Sequence, residues 1–146
     1  MSYGDIVNVE ALAGIWTVNG LFLDLTACED ATNPSLTQVE AWIEQMSSVV
    51  DLAIATEGMA TPLTDTTAIA AVSAIIEGVV ADLCHAANRT GRFFTKTSVE
   101  NGVSPIRAVT KELNDWVANN AVGLRTLGVT TVTDAVGEHT ASFDIL

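Results

Sequence analysis

Three features of this 146-residue chain predict a mainly α fold, a small helical bundle. Apolar residues recur at spacings of three and four over long stretches, which places them on one face of a helix. Helix-start residues stand before each stretch: Ser35, the Thr64-Asp65 pair and Ser104-Pro105. Hydrophobic residues make up 49% of the chain and charged residues 16%, enough apolar side chain for one core and too little charge for a disordered polymer. A short hairpin or an extended excursion near the N-terminus and an extended C-terminal tail complete the expectation. It divides the chain into a helical domain, 1–128, and a docking tail, 129–146.

The first element is a short helix over Asp5 to Ala13. Asp5 is its cap, Ile6, Val9, Leu12 and Ala13 are its apolar positions, and Gly14 is its stop. Ile15 to Val18 and Leu21 to Leu25 then flank Asn19-Gly20, a dipeptide suited to a type I′ turn, so these residues read as a hairpin or an extended excursion. Ser35 and Gln38 have the spacing of a capping box, and a long helix follows. Its face is formed by Leu36, Val39, Trp42, Ile43, Met46, Val49, Val50, Ala53 and Ile54, until Gly58 ends the pattern.

The helix from Thr66 to about Asn88 is apolar or small nearly all the way round. Ile69, Val72, Ile76, Val79, Val80, Leu83 and Ala87 form the bulky face. The opposite face holds Ala70, Ala71, Ala74, Gly78 and Ala81 and no charge. A helix without a solvated face is buried on both sides, so this one is either central to the bundle or pressed against another subunit. Ala70, Ala74, Gly78 and Ala81 are the candidate subunit contact. Arg89 and Arg92 fit the negative end of its dipole, and Phe93 to Val103 reads as a loop. Ser104-Pro105 starts the last helix, with Ile106, Val109, Leu113, Trp116 and Val117 inward and Lys111 paired to Asp115 on the surface. From Val129 the chain is β-branched and partly alternating, with no strong turn. Val132, Val136, Phe143, Ile145 and Leu146 are the candidate docking residues of a tail that adds to a partner.

Charge narrows the function. Residues 1–88 hold twelve acids and no base, whereas residues 89–146 balance six acids with all six bases. A surface of this kind repels phosphate, which argues against a DNA-binding module while leaving passing DNA tolerated. Two lysines beside nine Asp and nine Glu also match the acidic bias of proteins that work in high salt. Cys28 and Cys84 are too far apart for a C-x-x-C motif and read as buried thiols. The start of the chain lacks the pattern of a secretory signal, and the longest apolar run, Ala68 to Ala81, is short for a bilayer span and contains Glu77, so neither export nor a membrane is expected.

Catalytic chemistry finds little support. His85 and His139 are the only histidines, and Cys84 and His85, being adjacent on a helix, point about 100° apart and cannot act as nucleophile and base. His85 reads as a partly buried structural residue. Glu40 and Glu44 at i, i+4, with Asp51 near the same stripe, would suit acid/base or metal chemistry, but no histidine accompanies them at ligand spacing. They read instead as a stripe facing a channel, a basic partner or solvent. No enzymatic activity, cofactor or metal is expected.

From Asn33 the run Asn-Pro-Ser-Leu-Thr-Gln-Val-Glu-Ala-Trp-Ile-Glu-Gln is followed by Val49-Val50-Asp51-Leu52-Ala53 and then by Glu57-Gly58-Met59-Ala60-Thr61-Pro62. This pattern resembles the head-to-tail connector (adaptor) proteins of tailed phages, with their Pro-x-x-x-x-Val start, long amphipathic helix, Gly-x-x-x-Pro turn and Ala-rich second helix. It covers Asn33 to Asn88, and its motifs are structural. The resemblance implies a virion protein of the neck, made in the host cytoplasm, that forms a dodecameric ring of copies of itself. The ring would sit beneath the portal protein and above a stopper or tail-completion protein, with DNA passing through unbound. The Trp16 segment and the acidic balance are not features of that pattern. The competing class is a cytoplasmic helical protein that dimerises through the same helix in a binding or regulatory role; a small-molecule enzyme would need a pocket of its own.

Overall fold

The structure, a computed structural model, describes residues 2–88 and 104–129. The chain is mainly helical: α1 (Ile6–Leu12), a 3₁₀ turn (Gly14–Trp16), α2 (Leu36–Thr56), α3 (Thr66–Ala87) and α4 (Pro105–Thr126). The helices α2, α3 and α4 pack against one another, and α1 lies on α3 and α2. Val39, Met46, Val50 and Ile54 of α2 meet Val72, Ile76 and Val80 of α3 and Val109, Leu113 and Val117 of α4 in one core, all without exposure. Burial of this sort contributes about 1.5–3 kcal/mol per large side chain.

Each helix starts where its cap predicts. Asp5, Ser35, Asp65 and Ser104 accept from the backbone N–H of Val7, Gln38, Ala68 and Arg107, and Pro105 fills the first turn of α4. At α2 a carboxylate adds to the Ser35 hydroxyl: Asp24 accepts from the backbone N–H and the hydroxyl of Thr37, at 2.8 and 2.7 Å. These bonds hold the Asp24 carboxyl below its ordinary range. Both α2 and α4 stop in the same way. Gly58 (φ 80) and Gly128 (φ 84) take the left-handed conformation. Met59 N–H then reaches back to the Ile54 carbonyl and Val129 N–H to that of Leu124, at 3.1 and 3.2 Å, with each pair of side chains buried together. Val129 is thus packed against the end of the helical body.

The N-terminus is threaded into the bundle by polar ties. Gly4 passes so close to α2 and α3 that a Cβ would lie 3.0 Å from Ile43 Cγ2 and 3.3 Å from Ile76 Cγ2. Tyr3 N–H donates to Ser47 Oγ (3.0 Å), and the buried Tyr3 hydroxyl donates to Asp51 Oδ1 (2.5 Å) while accepting from Leu63 N–H (2.9 Å). Glu77, the one acid in the apolar run, is buried and accepts from Asp5 N–H (2.8 Å) and Asn8 Nδ2 (2.9 Å). Among the described residues, no buried side-chain N or O lacks a partner.

Several expectations need correction. Asn19 (φ 52) and Gly20 (φ 79) make the expected turn, but among the described residues its flanks pair only at Val18 and Leu21. The 3₁₀ turn takes up Ile15 and Trp16 of the would-be first strand, so of the two expectations the segment is an excursion. Leu12 and Ile106 are exposed, not inward. Cys28 is exposed, whereas Cys84 is buried as expected, and burial pushes its thiol up to about 12. The 22-residue α3 has length and apolarity enough to cross a bilayer, more than the run Ala68 to Ala81 suggests, and half of its most apolar window is packed inside this domain. The loop expected over Phe93 to Val103 lies outside the described residues.

Candidate functional site

The residues singled out on α3 divide. Of the bulky face, Val72, Ile76, Val79, Val80 and Leu83 are buried in the core and Ile69 packs against it, whereas Ala87 at the helix end is exposed; Ala81 is buried with them, so it is not available to another subunit. Ala70, Ala71 and Ala74 are exposed and Gly78 is half-buried. A Cβ built on Gly78 meets nothing outside its own helix within 4 Å. The helix is thus apolar on both sides, yet the described residues cover only one of them. Beside this face, hollows of about 380 and 430 Å³ lie along the seam of α3 and α4. Ala71 and Ile75 line them from α3, and Trp116 lines both from α4.

The acidic stripe also divides. Asp51 is half-buried and bonded to Tyr3, so it anchors the N-terminus. Glu40 and Glu44 are exposed and line a hollow of about 490 Å³ with Gly4, Asp5, Ile6 and Ile43. Among the described residues no group of three or more His, Cys, Asp or Glu side chains could hold a metal. The candidate docking residues Val132, Val136, Phe143, Ile145 and Leu146 lie outside the described residues, as does His139.

Two features escape the sequence reading. The first is a run of large apolar side chains left in solvent along α1 and the excursion: Val7, Leu12, Ile15 (76% exposed), Val18, Leu21 and Leu25. Isolated exposed apolar residues are ordinary, whereas here six fall within nineteen positions. Their spacing fits core residues equally well, so only the fold distinguishes the two. The second is the pairing of Trp16 with His85. The indole Nε1–H donates to His85 Nδ1 at 2.8 Å, and the rings meet edge to face with centroids 6.1 Å apart. His85 is half-buried, as a structural histidine should be.

No protein-family model, curated protein or solved structure matches the chain.

Proposed function

We propose that this chain is a structural assembly protein, a head-to-tail connector of a tailed virus. Its copies form a ring beneath the portal, through which the genome passes unbound. The observation that carries the reading is the small-residue face of α3 that the described residues leave uncovered, with Ala70 and Ala74 exposed and Gly78 half-buried. Small residues allow a neighbouring backbone to approach closely, and a ring subunit must bury two different lateral surfaces. The apolar side chains of α1 and the excursion offer one further surface, and the exposed Val122 of α4 and Leu52 of α2 lie on others. The acidic balance suits a channel that must not grip phosphate. The portal and a stopper or tail-completion protein are the partners this role requires, and it calls for no catalysis.

The test is the assembled mass of the purified protein by native mass spectrometry, with negative-stain images, for wild type and for Ala74→Leu and Gly78→Leu. A Cβ at Gly78 meets nothing within 4 Å outside its own helix, and helical circular dichroism checks that the larger Leu leaves the single chain folded. Across a close contact the same change overpacks by about 1–3 kcal/mol. The expected result is a closed ring for wild type and smaller species for the variants, with helical circular dichroism retained. Variants that assemble as well as wild type would overturn the assignment of this face. A discrete wild-type dimer would instead support a helical binding or regulatory protein.

A further inference from the structure

We propose that the seam between α3 and α4 is the seat of this chain's own C-terminal segment, residues 130–146. Ala71 and Ile75 form the α3 side of the seam, Trp116 stands at its middle, and Gly123, Leu124 and Leu127 line it where α4 stops. Its two hollows, of about 380 and 430 Å³, share the Trp116 side chain as a wall. Ala71, Gly123 and Leu127 are exposed and Ile75 and Trp116 half-buried, so the described residues leave this apolar groove open. Apolar surface of this kind gains by being covered.

Reach, side-chain type and charge single out the occupant. The described chain ends at Val129, whose N–H bonds to the Leu124 carbonyl, so residue 130 starts beside the Leu127 end of the groove. From Leu127 to Ala108 the lining of the two hollows runs about 28 Å along α4. Residues 130–146 span up to about 56 Å when extended, so the apolar Phe143, Ile145 and Leu146 can reach either hollow. The segment carries Asp134, Glu138 and Asp144 and no Lys or Arg. Among the described residues, every Lys and Arg stands on α4, where Arg107, Lys111 and Arg125 outnumber Glu112 and Asp115. The exposed apolar run over residues 7–25 contains Glu10 and Asp24 and no base, so it repels an acidic segment that α4 attracts. Tethering beside the groove makes docking intramolecular, which favours the chain's own segment over that of another copy. The hollows take Ala71 and Ile75 from α3, whereas the proposed ring contact uses Ala70, Ala74 and Gly78, so the seat stands independently of the connector reading.

The test uses the full-length protein with photoreactive p-benzoylphenylalanine in place of Phe143, unlabelled and nitrogen-15-labelled chains being mixed in urea and refolded together. After irradiation, peptide mapping should show cross-links to residues 71–75 or 116–127, with both peptides of each pair carrying the same label. A Cβ on the exposed Gly123 meets no described atom outside its own helix within 4 Å, so Gly123→Glu sets a charged side chain in the hollow that Gly123 lines. It should lower the cross-link yield at least tenfold, while Gly123→Ala leaves the yield within twofold of wild type. Helical circular dichroism checks that each refolded protein is folded. Pairs of mixed label would give the seat to a neighbouring copy and overturn the proposal. Cross-links to residues 7–25 or elsewhere, the absence of cross-links, or a yield unmoved by Gly123→Glu would overturn it equally.

Discussion

Tyr3 concentrates three bonds on one side chain and its backbone, which makes it a sensitive probe of how the N-terminus is held. Tyr3→Phe removes the acceptor of the buried Leu63 N–H and the donor to Asp51. Orphaning a buried group costs about 1–3 kcal/mol. Urea unfolding should show this loss, and a double-mutant cycle with Asp51→Ala should show that the two changes are not additive. The pH profile has a definite sign. Burial first, then the bond to Asp51, pushes the Tyr3 hydroxyl up from 10.0 to about 12. The unfolded chain therefore ionises before the folded one, and stability held below pH 10 is lost as pH rises from 10 to 12. Cys84, pushed up from 9.0 to about 12 by burial, adds to the loss from pH 9. Urea midpoints measured from pH 8 to 12 should fall, and Tyr3→Phe should flatten the part of the fall above pH 10.

Among elements, what could be read in the sequence was local. Capping residues act within three positions, so Asp5, Ser35, Asp65 and Ser104 are found where their side chains bond. The apolar faces of α2 and α3 follow from a single period. The ties of Tyr3 to Ser47, Asp51 and Leu63, and of Glu77 to Asp5 and Asn8, span 44 to 72 positions and leave no local signature. A lone acid in an apolar run was the only sign of them. The small-residue face was legible for the same periodic reason, but that the described residues cover Ala81 and not Ala74 depends on tertiary packing. The helix ends allow a further prediction. Since a Cβ at Gly58 or Gly128 meets nothing within 4 Å, the cost of Ala there is purely conformational, about 1–2 kcal/mol for the left-handed backbone. Thermal melts of Gly58→Ala and Gly128→Ala should both fall, whereas Gly14→Ala, whose φ is not left-handed, should be close to neutral.

For the whole molecule the governing asymmetry is charge: twelve acids without a base in residues 1–88. In the proposed ring, Glu40 and Glu44 are the exposed acids to test. Replacing both by Lys should change single-chain stability by no more than about 0.5 kcal/mol for each substitution, because surface substitutions seldom do more. If they face the channel, assembly should be intact and DNA should adhere to the ring in a way that high salt relieves. If they face a basic partner, assembly should fail instead. Gel-shift and assembly measurements at low and high salt separate these outcomes. Unaltered behaviour in both would assign Glu40 and Glu44 to an ordinary solvated surface.

The threading of the N-terminus also fixes an order of events in folding. Tyr3 and Asp5 are made first, yet every partner named for them on α2, on α3 and in the connection between those helices is made later, out to Glu77. Closing such long loops is costly before the bundle exists, so these contacts form late, after the barrier has been crossed. Tyr3→Phe should then leave the refolding rate nearly unchanged and speed unfolding roughly tenfold for each 1.4 kcal/mol lost. In stopped-flow measurements the N-terminus would act as a bolt slid home last, setting how long a folded molecule stays folded more than how quickly it forms.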